Sequence, residues 1–233
     1  QRILTELPEV GSNVFRITFR SRGKAANGSQ SLDTSVSQNA DEILAVFSEE
    51  AVTLWTVRDW SLLLKIKPVG GVEEAELSPS GASCALALKN GSLEFHRVGR
   101  AGDPVAVPEA HNRVVRHLSF SPGETMLLSA SADHTVKGWD VSSGRARFPV
   151  IQHGDAVYWA EFSVDGRLIA TASHDKTAVV RDVEKGQTVG APMEHPGSVT
   201  LVRFSPDGRN VLTACDDGML GLTPRSTRMA TRR

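Results

Sequence analysis

Cysteine is nearly missing from this chain, with only Cys84 and Cys215 among 233 residues. Their separation matches no metal-binding spacing and gives no disulfide framework, which excludes a zinc-built module and a cross-linked secreted mini-domain. A reducing compartment suits two lone thiols, so the cytoplasm is the expected location. Long apolar runs are missing too: nothing approaches the roughly 18 consecutive apolar residues of a spanning helix, and no basic-then-apolar leader opens the sequence. The first residue is glutamine, which reads as a truncated amino terminus that leaves any upstream leader or domain out of view. An excess of charge is the third absence. With 26 basic and 27 acidic side chains the formal net charge is -1, so no global field attracts nucleic acid or an anionic membrane. The expected partner is a protein or peptide, and nucleic acid is disfavoured.

What is present is a repeat. His111, His153 and His195 stand 42 residues apart, as do Phe120, Phe162 and Phe204, and again Asp133, Asp175 and Asp217. Composition cannot put three registers in step. Within one copy, apolar residues alternate, as at Leu168, Ala170 and Ala172, which is the period of a strand with one covered face. Each copy therefore predicts a small antiparallel sheet. A compact chain of this length buries roughly 70% of its unfolded surface.

The repeat resembles the WD40 family. The likeness rests on the histidine before the first strand of a copy, the FSPDG turn at Phe204–Gly208, the phrases LLSAS and LIATAS, the turn aspartate, and Trp139-Asp140 closing a strand. The resemblance implies an all-β propeller of four-stranded antiparallel blades, strands A to D, usually seven in a ring. Four full blades and a fifth without strand D are expected over residues 1–224, with a basic tail at 225–233. Two features stand outside that count. Gln1–Leu7 reads as an orphan strand D able to seal a five-blade ring, the alternative being an arc of a larger propeller. The first A-to-B connection is 17 residues longer than its counterpart, and its small polar residues, 20–40, predict a mobile insertion loop. Strand D is expected at Arg145–Val150 in blade three and Gln187–Ala191 in blade four.

The resemblance also implies a structural network of histidine, strand B hydroxyl, turn aspartate and tryptophan. Carried over, it falls on His111, Ser129, Asp133 and Trp139 in blade three. Blade four supplies His153, Thr171 and Asp175 with Arg181 in the tryptophan register. Blade five supplies His195, Thr213 and Asp217 with Thr223 there. A triad repeated around a ring is a structural unit and not a catalytic one, so no catalytic residue, cofactor or metal is expected. Asp216, Asp217 and His174 are the nearest approach to a metal set, and they come from different blades. In the family, ligands are often gripped at the start of each A strand and just before each turn aspartate. These positions hold Glu73, Arg116, Tyr158 and Thr200, then Lys89, Ala132, His174 and Asp216. Trp159, by alternation along its strand, is expected to face an adjacent blade. The implied function is a non-catalytic binding or scaffolding module; the alternative is a sensor or regulatory arm of a larger signalling protein such as a kinase or nucleotide hydrolase.

Overall fold

A computed structural model describes residues 14–21, 42–59, 61–100 and 102–224. Gln1–Leu7, most of the insertion loop and the basic tail lie outside the described residues, and with them the expected sealing strand.

The described residues fold into five antiparallel sheets in sequence order, four of four strands and a last one of three. Blade one comprises β1 to β4 (Val14–Ser21, Glu42–Ser48, Val52–Thr56, Leu62–Ile66), and blade two β5 to β8 (Val72–Leu77, Ser83–Leu88, Leu93–Arg97, Val105–Val107). Blade three comprises β9 to β12 (Val115–Phe120, Met126–Ser131, Thr135–Asp140, Ile151–Gln152), and blade four β13 to β16 (Val157–Phe162, Leu168–Ser173, Thr177–Asp182, Met193–Glu194). Blade five has β17 to β19 (Val199–Phe204, Asn210–Cys215, Leu220–Pro224).

Strand D of blades three and four is displaced from the expected stretches. Only Ala146 and Thr188 form isolated bridges there, to Trp139 and Arg181, and the ladder resumes at Ile151–Gln152 and Met193–Glu194. Pro149 and Pro192 stand between bridge and ladder. Having no N–H, proline cannot continue a ladder, so the strand breaks and restarts beyond it.

Each blade has two apolar faces, and successive blades bury them against each other. The rear of blade one (Ile43, Ala45, Leu54) packs on the front of blade two (Ala75, Leu77, Leu86). Ala85, Leu93 and Phe95 meet Leu118, Leu127 and Trp139 of blade three. Leu128, Ala130 and Val136 meet Ala160, Phe162 and Ile169 of blade four, and Ala170, Ala178 and Val180 meet Val199, Val202 and Val211 of blade five. Burial of this kind stabilises by about 25 cal/mol per Å² of apolar surface. Strand B is the most buried element, enclosed along its whole length in blades three and four.

Every A strand carries a register shift near its start. Val115 pairs with Ser131 and His117 with Ala130, so Arg116 is skipped. Glu73, Tyr158 and Thr200 are skipped in the same way. These bulges turn one side chain per blade toward the end of the arc where the A strands begin, and reverse the parity of the residues that follow.

Candidate functional site

Blade three forms the whole expected network. His111 Nδ1 donates to Asp133 Oδ2 at 2.8 Å, the Ser129 hydroxyl donates to His111 Nε2 at 2.6 Å, and Trp139 Nε1 donates to Ser129 Oγ at 2.8 Å. Three further donors fix the aspartate: the N–H of Asn112 at 3.3 Å, the N–H of Thr135 at 3.1 Å and the hydroxyl of Thr135. Blade four repeats this without tryptophan, with His153 to Asp175 at 3.0 Å, Thr171 to His153 at 2.8 Å, and Gly154 N and Thr177 Oγ1 on the aspartate at 2.8 and 2.6 Å. Burial holds both imidazoles below the usual histidine range. Desolvation opposes the Asp175 carboxyl, yet the Thr177, Gly154 and His153 donors together hold it at about 2. Ser129 and Thr171 have no exposed surface, and a nucleophile must be reached by its substrate, so these sets are braces.

Blade five has the residue types without the bonds. Among the described residues the buried Nε2 of His195 has no hydrogen-bond partner, and Thr213 turns its hydroxyl to Gly221 O at 3.4 Å. The cause is local. Pro196 occupies the register of Asn112 and Gly154 and lacks the N–H that each gives to its aspartate. Met219 occupies the register of Thr135 and Thr177 and lacks the hydroxyl. Among the described residues Asp217 keeps only the Met219 N–H, at 2.9 Å, and it lies exposed. The threonine was a readable signal: Thr135 and Thr177 recur at the 42-residue period.

The bulged residues and the B-to-C turns share one end of the arc. There Arg116 lies over the Tyr158 ring at 5.8 Å, and Tyr158 meets His174 edge-on at 6.1 Å. His174 Nδ1 donates to Asp155 at 2.9 Å, and His134 approaches the other oxygen of that carboxylate at 3.6 Å. The hydrogen bond from His174 is the main force that keeps the Asp155 carboxyl below its ordinary range. Three of the expected rim residues thus form one continuous surface over blades three and four, to which Asp155 and His134 belong. The others sit apart from it. Lys89 pairs with Glu49 at 2.7 Å and feels the charge of Glu73. Thr200 bonds Ala214 O at 3.3 Å, and Asp216 accepts from Ser198 N at 2.9 Å. Asp216, Asp217 and His174 are engaged separately, and among the described residues no group of His, Cys, Asp or Glu is arranged to hold a metal ion.

Inside the arc lies a cavity of about 500 Å³ lined by Arg16, Glu74, Glu76, Arg116, His117, Trp159, Glu161 and Arg203. Arg116 is the bulged residue at the mouth, and pairing places the other lining residues in two tiers. Arg16, Glu74, His117 and Trp159 share one register, and Glu76, Ser119, Glu161 and Arg203 the next. Arg16 bridges blades, donating to Glu74 at 2.8 Å, Ala75 O at 3.0 Å and Glu76. Trp159 stacks on His117 at 3.6 Å and carries the Arg203 guanidinium at 4.8 Å. Burial raises Glu74 to about 7 against the pull of Arg16, raises Glu161, and drops His117 to about 3. Alternation places Trp159 correctly toward the adjacent blade but misses its second face. Trp159 packs against the core of blades four and five, but the bulge at Tyr158 reverses its parity, so its ring also faces the cavity. A second cavity, of about 750 Å³, opens beside His96, which stands in the register of Trp139 and pairs with Glu94 at 2.9 Å.

The family model for "WD domain, G-beta repeat" matches residues 102–140, 147–182 and 186–222. Each match starts near strand D of one blade and ends in strand C of the next, so the unit of sequence is offset by one strand from the unit of structure. The chain is 25% identical over 51% of its length to Ribosome biogenesis protein YTM1 of Eremothecium gossypii, covering 25% of that protein. It is 28% identical over 40% of its length to WD repeat-containing protein RUP1 of Arabidopsis thaliana, covering 25% of that protein. It is 32% identical over 42% of its length to Serine-threonine kinase receptor-associated protein of Dictyostelium discoideum, covering 32% of that protein. The chain thus spans between a quarter and a third of these curated relatives.

Proposed function

Because the chain belongs to the WD40 repeat family, we propose that it is a non-catalytic protein-binding or scaffolding module whose partner, a protein or peptide, docks on the end of the arc where the bulged residues project. The observation that carries this reading is the joined surface Arg116, Tyr158, His174, Asp155 and His134. Aromatic and guanidinium groups contribute much of the energy at protein interfaces, and the sheets beneath hold them on a rigid frame. The match to repeats found in relatives of differing function supports a binding role. Among the described residues no helix is long and apolar enough to cross a membrane, and two buried free thiols suit a reducing cytoplasm. The test is quantitative capture by the parent and by Arg116→Glu combined with Tyr158→Ala. A partner held by the parent should be lost by the double variant at an unchanged unfolding midpoint. Equal capture by both proteins excludes this end of the arc.

The arc itself is part of the same proposal. Ile17 is 60% exposed, whereas Ala75, Leu118, Ala160 and Val202 in its register are at most 1% exposed. Leu220 and Leu222 are 72% and 68% exposed, whereas Val136, Ala178 and Val180 in their registers are 7% or less. The front of blade one and the rear of blade five are the kinds of face that cover each other in every internal pair. In the working protein these faces meet further blade surface, either through closure of five blades or as part of a larger propeller. Uncovered, they predict self-association, which sedimentation would detect; a strictly monomeric chain at all concentrations would count against this reading.

A further inference from the structure

We propose that the cavity inside the arc is a binding site for an anionic group, a carboxylate or phosphate carried by the partner segment, gripped by Arg116 and Arg203. This rests on the reading of the protein as a peptide-binding module and adds the chemistry of what enters.

The sign of the ligand follows from which groups in the cavity remain unspent. All three carboxylates are engaged. Glu74 and Glu76 both hold Arg16. Glu161 accepts from Phe204 N at 2.7 Å and from Trp159 Nε1 at 3.3 Å, and lies 3.4 Å from Arg203 Nε. A cationic ligand would have to displace a guanidinium from a partly buried carboxylate. The guanidinium groups are less fully used. Arg16 is spent on three acceptors. Arg203 faces Glu161 through Nε alone, and its side chain is 55% exposed, with no hydrogen bond at its Nη atoms among the described residues. Arg116 is exposed, and among the described residues it has a ring contact but no carboxylate partner.

Position adds to the argument. Arg116 belongs to blade three and Arg203 to blade five, and blade four places consecutive aromatic rings between them. Tyr158 steadies Arg116 and Trp159 steadies Arg203, and both arginines line the same cavity. A guanidinium oriented in advance by a ring loses less freedom when it forms paired N–H bonds to an oxyanion. Trp159 stacks on His117 and carries the Arg203 guanidinium, so the ladder orients the arginine. Carboxylate and phosphate share this recognition chemistry, and the experiment separates them.

Fluorescence anisotropy of the full 233-residue chain with a labelled hexaglutamate peptide, the same peptide with a central phosphoserine, and hexaglutamine as neutral control reads the site directly. The expected result is binding of one or both acidic probes and not of hexaglutamine, with the tighter probe naming the source of the anion. Arg116→Gln and Arg203→Gln should each weaken it by about tenfold or more, whereas Arg145→Gln, outside the cavity, should leave it unchanged. Arg116 is exposed, so its variant keeps the test decisive if removal of Arg203 disturbs the Trp159 stack. Equal affinity in parent and Arg116→Gln, or equal binding of hexaglutamine, overturns the proposal. A partner still captured through Tyr158 while the acidic probes ignore both arginines overturns the cavity site alone and leaves the rim reading standing.

Discussion

Blades four and five contain the same three network residues, histidine, threonine and aspartate, and neither has the tryptophan. Blade four nevertheless bonds all three, and blade five bonds none of them to one another. Tryptophan is therefore not what makes the brace. The difference lies in the small donors around the aspartate, a backbone N–H and a threonine hydroxyl, which fix the carboxylate before histidine can use it. Pro196 and Met219 remove both. Cover is the second difference: blade four has a neighbour over its rear face, whereas Leu220 and Leu222 of blade five face solvent.

The largest expected effect tests the role of tryptophan where it does occur. Trp139→Ala removes a buried ring from the core between blades two and three, and should cost about 3–5 kcal/mol in chemical unfolding. Thr223→Ala, in the same register of blade five, should cost less than about 0.5 kcal/mol. Equal losses would mean that the registers of the two blades do not correspond.

Removal of the aspartate measures the brace itself. Asp175→Ala strips the partner from a buried imidazole and three further donors, which should cost about 1–3 kcal/mol, while the exposed Asp217→Ala should be close to neutral. A comparable loss at Asp217 would show that blade five holds a network in solution.

Acid sharpens the same contrast. His153 is held below its ordinary value of 6.5 by burial, so the folded state binds fewer protons than the unfolded state below that pH. Its contribution is full above about 6.5 and declines as pH falls toward the folded value. His153→Gln should flatten that decline in the unfolding midpoint between about pH 6.5 and 5; a slope identical to the parent's would show that the histidine does not couple to folding.

The smallest effect is constructive. Pro196→Asn together with Met219→Thr restores the two donors that blades three and four possess, and should stabilise the chain by about 1 kcal/mol. No gain in midpoint would assign the broken network to the missing cover and not to the missing donors.

Much of this was legible in the residues. The 42-residue period located the A and B strands of blades three to five, because their apolar residues must meet the neighbouring blades at fixed spacing. Proline defeated the placement of the fourth strands of blades three and four, since a bridge to Ala146 or Thr188 and a ladder beyond Pro149 or Pro192 look like one continuous stretch. The rim was half legible. Arg116, Tyr158 and His174 come together, but Asp155 and His134, which complete the surface, lie in connections that no strand period marks.

The sequence alone determined the unit: a blade whose histidine, hydroxyl, aspartate and turn residues are close enough along the chain for local geometry to bring them together. It could not determine what meets across the arc. Arg16 and Glu74 are far apart in the chain, as are Trp159 and Arg203, and their approach depends on the rotation from one blade to the next. The parity of the inner strands depends on a one-residue bulge that alternation does not register. Only the packing of one sheet on another fixes that rotation and aims those side chains, and so only the tertiary structure assembled the cavity.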